Sequence, residues 1–274
     1  MDYQEYVGLE KNAIHSATDI WKEDLDRLGY FLVPNVLDRS TITKLQEAVD
    51  KAWNKQLKKY GEPLLRSIGD YGVARGLMEE DPIFFDLLTL PLVDKVLDFT
   101  VGPTSILHLQ NGICLYPKEK HNQGRFHKDF AKDFISDKLL SINFFFILDP
   151  FNQQTGGTWI IPGTHKNTTM PSESFIEKNK IQITAQPGSI LIFDSLLWHC
   201  SGENSTNKVR RAINHQYTRP FIKQQLNYPE MFKEKVDMES KLAQRLGLWA
   251  IPPRNVDEYR VSSPKLRTYR AGQG

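Results

Sequence analysis

A chain of 274 residues can bury a full hydrophobic core, and its 40% apolar and 25% charged residues are those of an ordinary soluble protein. A formal net charge of +2 argues against nucleic acid or an anionic membrane as partner, and no apolar run reaches the ~18 residues of a membrane span. The two cysteines, Cys114 and Cys200, make no CxxC pattern, and the acidic start Met1-Asp2-Tyr3-Gln4-Glu5 is unlike a signal peptide, so a reducing, cytoplasmic setting is expected.

Residues 1–20 have weak periodicity. Trp21 to Leu28 reads as a short helix stopped by Gly29, and Tyr30-Phe31-Leu32-Val33 as a strand closed by Pro34. Asp38 or Ser40 can cap the next helix, whose apolar positions Ile42, Leu45, Val49, Ala52 and Trp53 recur every three or four residues. Residues 55–75 are polar and glycine-bearing and read as a loop. Asp81-Pro82 opens a second helical segment carrying Phe84, Leu87, Leu88 and the apolar residues of 92–97.

From about Ser105 the period changes. Ile106 to Pro117 reads as one strand or two, and Pro117 to Gly124 as a polar loop. Leu139 to Leu148 is nearly continuous apolar sequence, as in a strand buried on both faces. Asn152 to Gly157 turns, and strands follow at 158–161, 181–185 and 189–193, separated by Pro162-Gly163 and Pro187-Gly188. The polar stretch 165–180 reads as a covering loop, Val209 to Tyr217 as a strand, and 225–245 as helical. Many short strands after a helical region predict a jelly roll or barrel with helices outside it. The expected organisation is one domain over 1–274, with a helical part to about 100, a β core over about 101–222 and a helical end.

The chemistry centres on Phe126-His127-Lys128-Asp129-Phe130. On an extended segment, residues i and i+2 point to one side, so the His127 imidazole and the Asp129 carboxylate converge and Lys128 turns away. One His and one carboxylate hold a transition metal weakly, and His199 is the best candidate for a third ligand. Two His and one carboxylate on one face of an octahedron leave open positions, the set used by non-heme Fe(II) oxygenases. If Ser201 to Lys208 is a hairpin loop, Arg210 returns beside His199, where its planar guanidinium could clamp a carboxylate through two parallel hydrogen bonds. Arg211 would face the other way, and Ser201 could add a hydroxyl.

These residues resemble the phytanoyl-CoA dioxygenase family of Fe(II)- and 2-oxoglutarate-dependent oxygenases. Leu28 to Leu37 is similar to the family's opening segment, and Thr155-Gly156-Gly157-Thr158-Trp159-Ile160-Ile161-Pro162-Gly163-Thr164-His165-Lys166 to its central turn. Pro187 to Asp194 and His199-Cys200-Ser201-Gly202-Glu203-Asn204 resemble the segment bearing the distal His. The resemblance implies a double-stranded β-helix, with His127, Asp129 and His199 as iron ligands and Arg210 on the far carboxylate of 2-oxoglutarate. It also implies that Gln110 touches that cosubstrate. Cys114 stands where some members have Asn, a departure that removes one expected contact. His165 falls in the family's structural turn and reads as a non-ligand; His121 lies in the loop before the motif, and His108 and His215 read as structural.

The implied reaction consumes O2 and 2-oxoglutarate, releases succinate and CO2, and hydroxylates an unactivated C–H of a small molecule such as an acyl-CoA, a compatible solute or a secondary metabolite. A carboxylate at 129 favours hydroxylation over halogenation, since related halogenases have a small residue there. Lys118, Lys120, Arg125 and Lys128 read as a basic face near the motif, and Phe144, Phe145, Phe146 and Trp159 as possible pocket walls. The loops at 65–80 and 165–180 are the expected selectivity elements. A jelly-roll isomerase or hydrolase without 2-oxoglutarate, and a binding module without catalysis, stay open, as do the substrate, the oligomeric state and a disulfide between Cys114 and Cys200.

Overall fold

The computed structural model describes residues 14–119, 122–130 and 133–261. Helix α1 (Ala17–Arg27) is capped by Ser16, and the chain leaves it at Gly29 with φ +85°. A Cβ there would also sit 2.5 Å from His165 Nδ1, so only glycine fits. Strand β1 (Tyr30–Val33) follows. Asp38 caps α2 (Arg39–Tyr60), its Oδ1 accepting from the Thr41 N–H at 2.8 Å. Ile42, Leu45, Val49, Ala52 and Trp53 form the buried face, and the Trp53 indole donates to the Tyr116 hydroxyl at 2.7 Å. Asp38→Ala is expected to lower the unfolding free energy by about 1 kcal/mol in urea titrations, with no change in cosubstrate affinity.

The stretch 55–75 is not a loop. Helix α2 continues to Tyr60, α3 (Glu62–Ser67) follows, and β2 (Val73–Arg75) adds an edge strand. Lys, Gln and Leu are strong helix formers, so this polar sequence extends a helix whose last turns face solvent. The next helical segment is two helices, α4 (Ile83–Asp86) and α5 (Pro91–Phe99). Leu90, before a proline, has ψ 136° and cannot continue the first into the second.

Strand β3 (Ile106–Leu115) is continuous except for a bulge between Leu107 and Leu109. All seven residues of β4 (Ser141–Ile147) are buried, as expected of a doubly covered strand. Then come β5 (Trp159–Ile160), α6 (Glu173–Asn179), β6 (Ile181–Gln182), β7 (Ile190–Asp194), β8 (His199–Cys200) and β9 (Arg210–Thr218). Helix α6 lies inside the stretch expected as a covering loop, with Ser172 as its cap. The C-terminal region has short helices α7 (Tyr228–Phe232), α8 (Lys241–Arg245) and α9 (Val256–Val261).

Six strands form one antiparallel sheet in the order β1-β7-β4-β9-β3-β2, and three form a second, β6-β5-β8. Phe145, Ile147, Ile160, Leu191, Phe193 and Ala212 fill the space where the sheets face each other. Phe144, Phe146, Ile213 and Tyr217 alternate with them and pack with the core residues of α2, α4 and α5. This is the double-stranded β-helix with flanking helices that the sequence predicted. The loop after His199 is not a hairpin, however: β8 lies in the small sheet and β9 in the large one, so the chain crosses between sheets. Arg210 therefore reaches the interior from across the fold rather than from a neighbouring strand.

Candidate metal and 2-oxoglutarate site

His127 lies outside the regular strands and is held by a single antiparallel bridge to His199. The His127 N–H donates to the His199 carbonyl at 2.9 Å, and the His199 N–H donates back at 3.1 Å. Each imidazole Nδ1 meets a carbonyl two residues earlier, His127 with Arg125 at 2.8 Å and His199 with Leu197 at 2.9 Å. A carbonyl only accepts, so each Nδ1 carries the hydrogen and each Nε2 presents its lone pair. The His127 and His199 Nε2 atoms stand 3.4 and 3.5 Å from the two Asp129 oxygens. One ligand atom from each of the three residues lies within 4.8 Å of the others, the grouping of His, Cys, Asp and Glu among the described residues that could hold a metal ion. Two neutral nitrogens and a carboxylate at that spacing suit neighbouring positions around one divalent ion with bonds of about 2.1 Å.

Burial pushes the Asp129 carboxyl up, but His199, His127 and a hydrogen bond from Asn143 outweigh it and hold it at about 2. Burial pushes His199 below the usual imidazole range. The carboxylate is thus held ionised, and burial favours the neutral form of His199, the state in which an imidazole accepts a cation.

Arg210 is 2% exposed. One Nη2 hydrogen goes to the Gly156 carbonyl at 3.0 Å, and the guanidinium carbon sits 4.3 Å from the Phe151 ring centroid. Its Nε and Nη1 are buried with no hydrogen-bond partner among the described residues, and burial pulls its pKa down to about 10. Arg210 lines one small cavity, of about 20 Å³, with Asp129, His199, Ser201, Thr158 and Asn214. The Ser201 hydroxyl there is also buried without a partner among the described residues. Unsatisfied donors around a guanidinium are the signature of a site built for an anion. Arg211 turns outward, as its position demands, and pairs with Asp50 at 2.7 Å and Asp149 at 3.1 Å.

The structure does not bring Gln110 to this cavity. Its side chain faces the helices, with Nε2 2.8 Å from His215 Nε2 and 3.3 Å from the Phe84 carbonyl. Cys114 lies on the same helix-facing side, whereas Cys200 lines the cavity; both are free thiols. Lys128 is no part of a basic face: it is 4% exposed, with Nζ 2.5 Å from the Asn167 carbonyl. Of the possible pocket walls, Phe145 lines the cavity, Phe144 and Phe146 pack under the helices, and Trp159, with Lys180 at 5.2 Å, lines a neighbouring pocket with Phe126, Cys200 and Ser201. His165 supports the turn at Gly29, and His215 is buried against Tyr217. His121 and Lys120 lie outside the described residues.

Asn143, Ser195, Asn214 and Gln216 were not singled out in the sequence, yet all four face the site region. The signal was available: Asn143 is the polar residue in the middle of an apolar run. Asn214 and Gln216 share the parity of Arg210 on their strand. A polar side chain in a doubly buried strand needs a reason: Asn143 has Asp129 as partner, Gln216 has Ser141 and Ser195, and Asn214 lines the cavity.

At the end of β7, burial raises the Asp194 carboxyl to about 6, against a hydrogen bond from the Leu196 N–H and the pull of Lys128. A raised carboxyl favours the folded state below its unfolded pKa of 3.8 and loses that contribution as pH rises through about 6. Asp194→Asn keeps the acceptor for Leu196 without the charge. The variant is expected to be more stable than the parent by on the order of 1–2 kcal/mol at pH 8, with the difference gone by pH 4, as read by thermal melts across pH.

The model of the phytanoyl-CoA dioxygenase (PhyH) family matches residues 25–212. The chain belongs to that family. An uncharacterized protein of Mycobacterium tuberculosis is 35% identical over 275 residues, covering 98% of this chain and 99% of its own. The dioxygenase andF of Emericella variicolor is 25% identical, covering 91% and 88%. Among solved structures, EctD from S. alaskensis, with 2-oxoglutarate and 5-hydroxyectoine, superposes with a TM-score of 0.62 at 18% identity, covering 77% of this chain and 78% of its own, and so has the same fold. This family member is an oxidoreductase, a dioxygenase of the iron- and 2-oxoglutarate-dependent type. No helix among the described residues is long and apolar enough to cross a membrane.

Proposed function

We propose that this dioxygenase hydroxylates an unactivated C–H of a small molecule, with His127, Asp129 and His199 as the iron ligands and Arg210 as the cation for the far carboxylate of 2-oxoglutarate. The observation that carries this reading is the shared cavity: Asp129 and His199 stand at it together with a buried guanidinium that has two nitrogens unpartnered among the described residues. When bound, iron with 2-oxoglutarate and O2 supplies oxidation coupled to decarboxylation, leaving succinate and CO2.

The chain's own residues supply binding and order. The backbone carbonyls of Arg125 and Leu197 fix both imidazoles in one tautomer. Arg210 orients the cosubstrate by a charge-assisted pair, and Ser201 offers its hydroxyl to the same carboxylate. Ile113 and Phe145 give the cavity an apolar wall that keeps out water. An isomerase or hydrolase using the same ligands, or a binding module, would leave the Arg210 charge buried with no counter-ion, a cost without a return. The cytoplasmic setting belongs to the same reading, supported by two buried free thiols.

The substrate class rests on the company the chain keeps: a family named for an acyl-CoA and a structural neighbour holding 5-hydroxyectoine. A small-molecule screen read by succinate release is the test. Release should require Fe(II), 2-oxoglutarate and one substrate, and anaerobic Fe(II) with 2-oxoglutarate should give a weak visible band. A protein that binds Fe(II) but shows neither the band nor any 2-oxoglutarate affinity would refute the reading.

A further inference from the structure

We infer, on the functional reading above, that Asn143 is a positioning residue that fixes the Asp129 carboxylate for the metal, and that Ser195, Ser141 and Gln216 hold Asn143 in the one orientation that does so. Asn143 sits on β4, fully buried, and its Nδ2 donates to Asp129 Oδ2. That leaves Oδ1, 3.4 Å from His127 Nε2, as the oxygen free for a metal.

The direction of each hydrogen in this cluster follows from chemistry. The Gln216 Nε2 group can only donate, and it reaches Ser141 Oγ at 2.7 Å and Ser195 Oγ at 3.3 Å. Both hydroxyl oxygens are thus acceptors toward Gln216, and each keeps its own hydrogen to pass on. Ser195 Oγ donates to Asn143 Oδ1 at 3.3 Å, and the Ser141 and Ser195 hydroxyls are 2.7 Å apart. With Oδ1 occupied by a donor, the Asn143 amide must turn Nδ2 toward Asp129. The carboxylate, which only accepts, demands the same orientation independently. The Asp129 N–H donates to the Ser195 carbonyl at 3.0 Å, so the same residue also fixes the ligand's backbone. Ser195, Ser141 and Gln216 are buried as well, so no solvent competes for these bonds.

A ligating carboxylate held by one hydrogen bond on its outer oxygen binds through the other, and the loss of such a partner weakens metal binding about 10–100-fold. Mn(II) is a suitable probe, titrated by electron paramagnetic resonance into the full chain. Asn143→Ala should weaken Mn(II) binding by about 10–100-fold. Ser195→Ala, which touches Asn143 and not the Asp129 side chain, should weaken it in the same direction by a smaller factor. The anaerobic visible band with Fe(II) and 2-oxoglutarate should shift or weaken in both, while the melting temperature of the metal-free proteins moves little. A packing role would do the reverse, lowering the melting temperature and leaving the dissociation constant and the band in place. Binding within twofold of the parent in Asn143→Ala overturns the inference. If that variant does not fold, parental binding in Ser195→Ala overturns it equally. A parent chain that binds no Mn(II) refutes the metal site itself, a distinct result that takes this inference down with it.

Discussion

Asparagine in place of Asp129 is expected to cut iron-dependent succinate formation by a factor of about a thousand or more, the equivalent of some 4 kcal/mol. The substitution changes almost no volume, so the loss is one of charge and hydrogen placement. Asn143 Nδ2 already donates to one oxygen of residue 129. If the new amide group takes that position, two donors face each other. If it takes the other, its N–H₂ points between the imidazoles of His127 and His199, whose Nε2 atoms stand 3.4 and 3.5 Å from the present carboxylate. Neither rotamer offers a metal an anionic oxygen. Calorimetric titration of Fe(II) under anaerobic conditions separates a lost ligand from a misfolded chain. Activity within tenfold of the parent, with normal iron affinity, would show that Asp129 is not a ligand.

Much of this site was legible before any coordinates, because it depends on short-range rules. The two-residue period put His127 and Asp129 on one side and separated Arg210 from Arg211, and the structure keeps both separations. The apolar run at 139–148 became a strand with every residue buried, since only a doubly covered strand tolerates such sequence. Failures arose where long-range geometry decides. The strand register sends Gln110 to the helix side, opposite His215, although its spacing from His127 matched. The loop after His199 looked like a hairpin because hairpins are local, whereas a crossing between sheets leaves no local mark. Residues 55–75 read as a loop because solvated helix and polar loop share a composition; only the helix propensity of Lys, Gln and Leu distinguishes them. Lys128 shows the same limit: a lysine is expected in water, and this one is buried with its ammonium on the Asn167 carbonyl.

Arg210→Met is expected to move two quantities in opposite directions. The KM for 2-oxoglutarate should rise by about 100-fold or more, since truncating one partner of a desolvated charge pair costs about 2–5 kcal/mol. The melting temperature of the ligand-free protein should rise, because the parent buries a guanidinium whose Nε and Nη1 have no partner among the described residues and whose pKa burial drags to about 10. Methionine fills the stem volume against Phe151 but gives up the Gly156 hydrogen bond, worth about 1 kcal/mol, and the guanidinium's contact with the Phe151 ring, worth about as much. A net gain of one or two kcal/mol corresponds to roughly 2–4 °C for each. Arg210→Lys should not restore the KM, since an ammonium cannot make two parallel bonds to a carboxylate. Thermal melts with and without 2-oxoglutarate, at fixed Mn(II), show both effects at once: the parent gains a large ligand-induced shift and the methionine variant almost none. On the proposed role of Arg210, the charge is a stability cost that the cosubstrate would offset on binding, as expected where function rather than folding has chosen the residue. Should the ligand-free variant melt lower while its KM stays put, Arg210 would be a structural tie for the Gly156 turn.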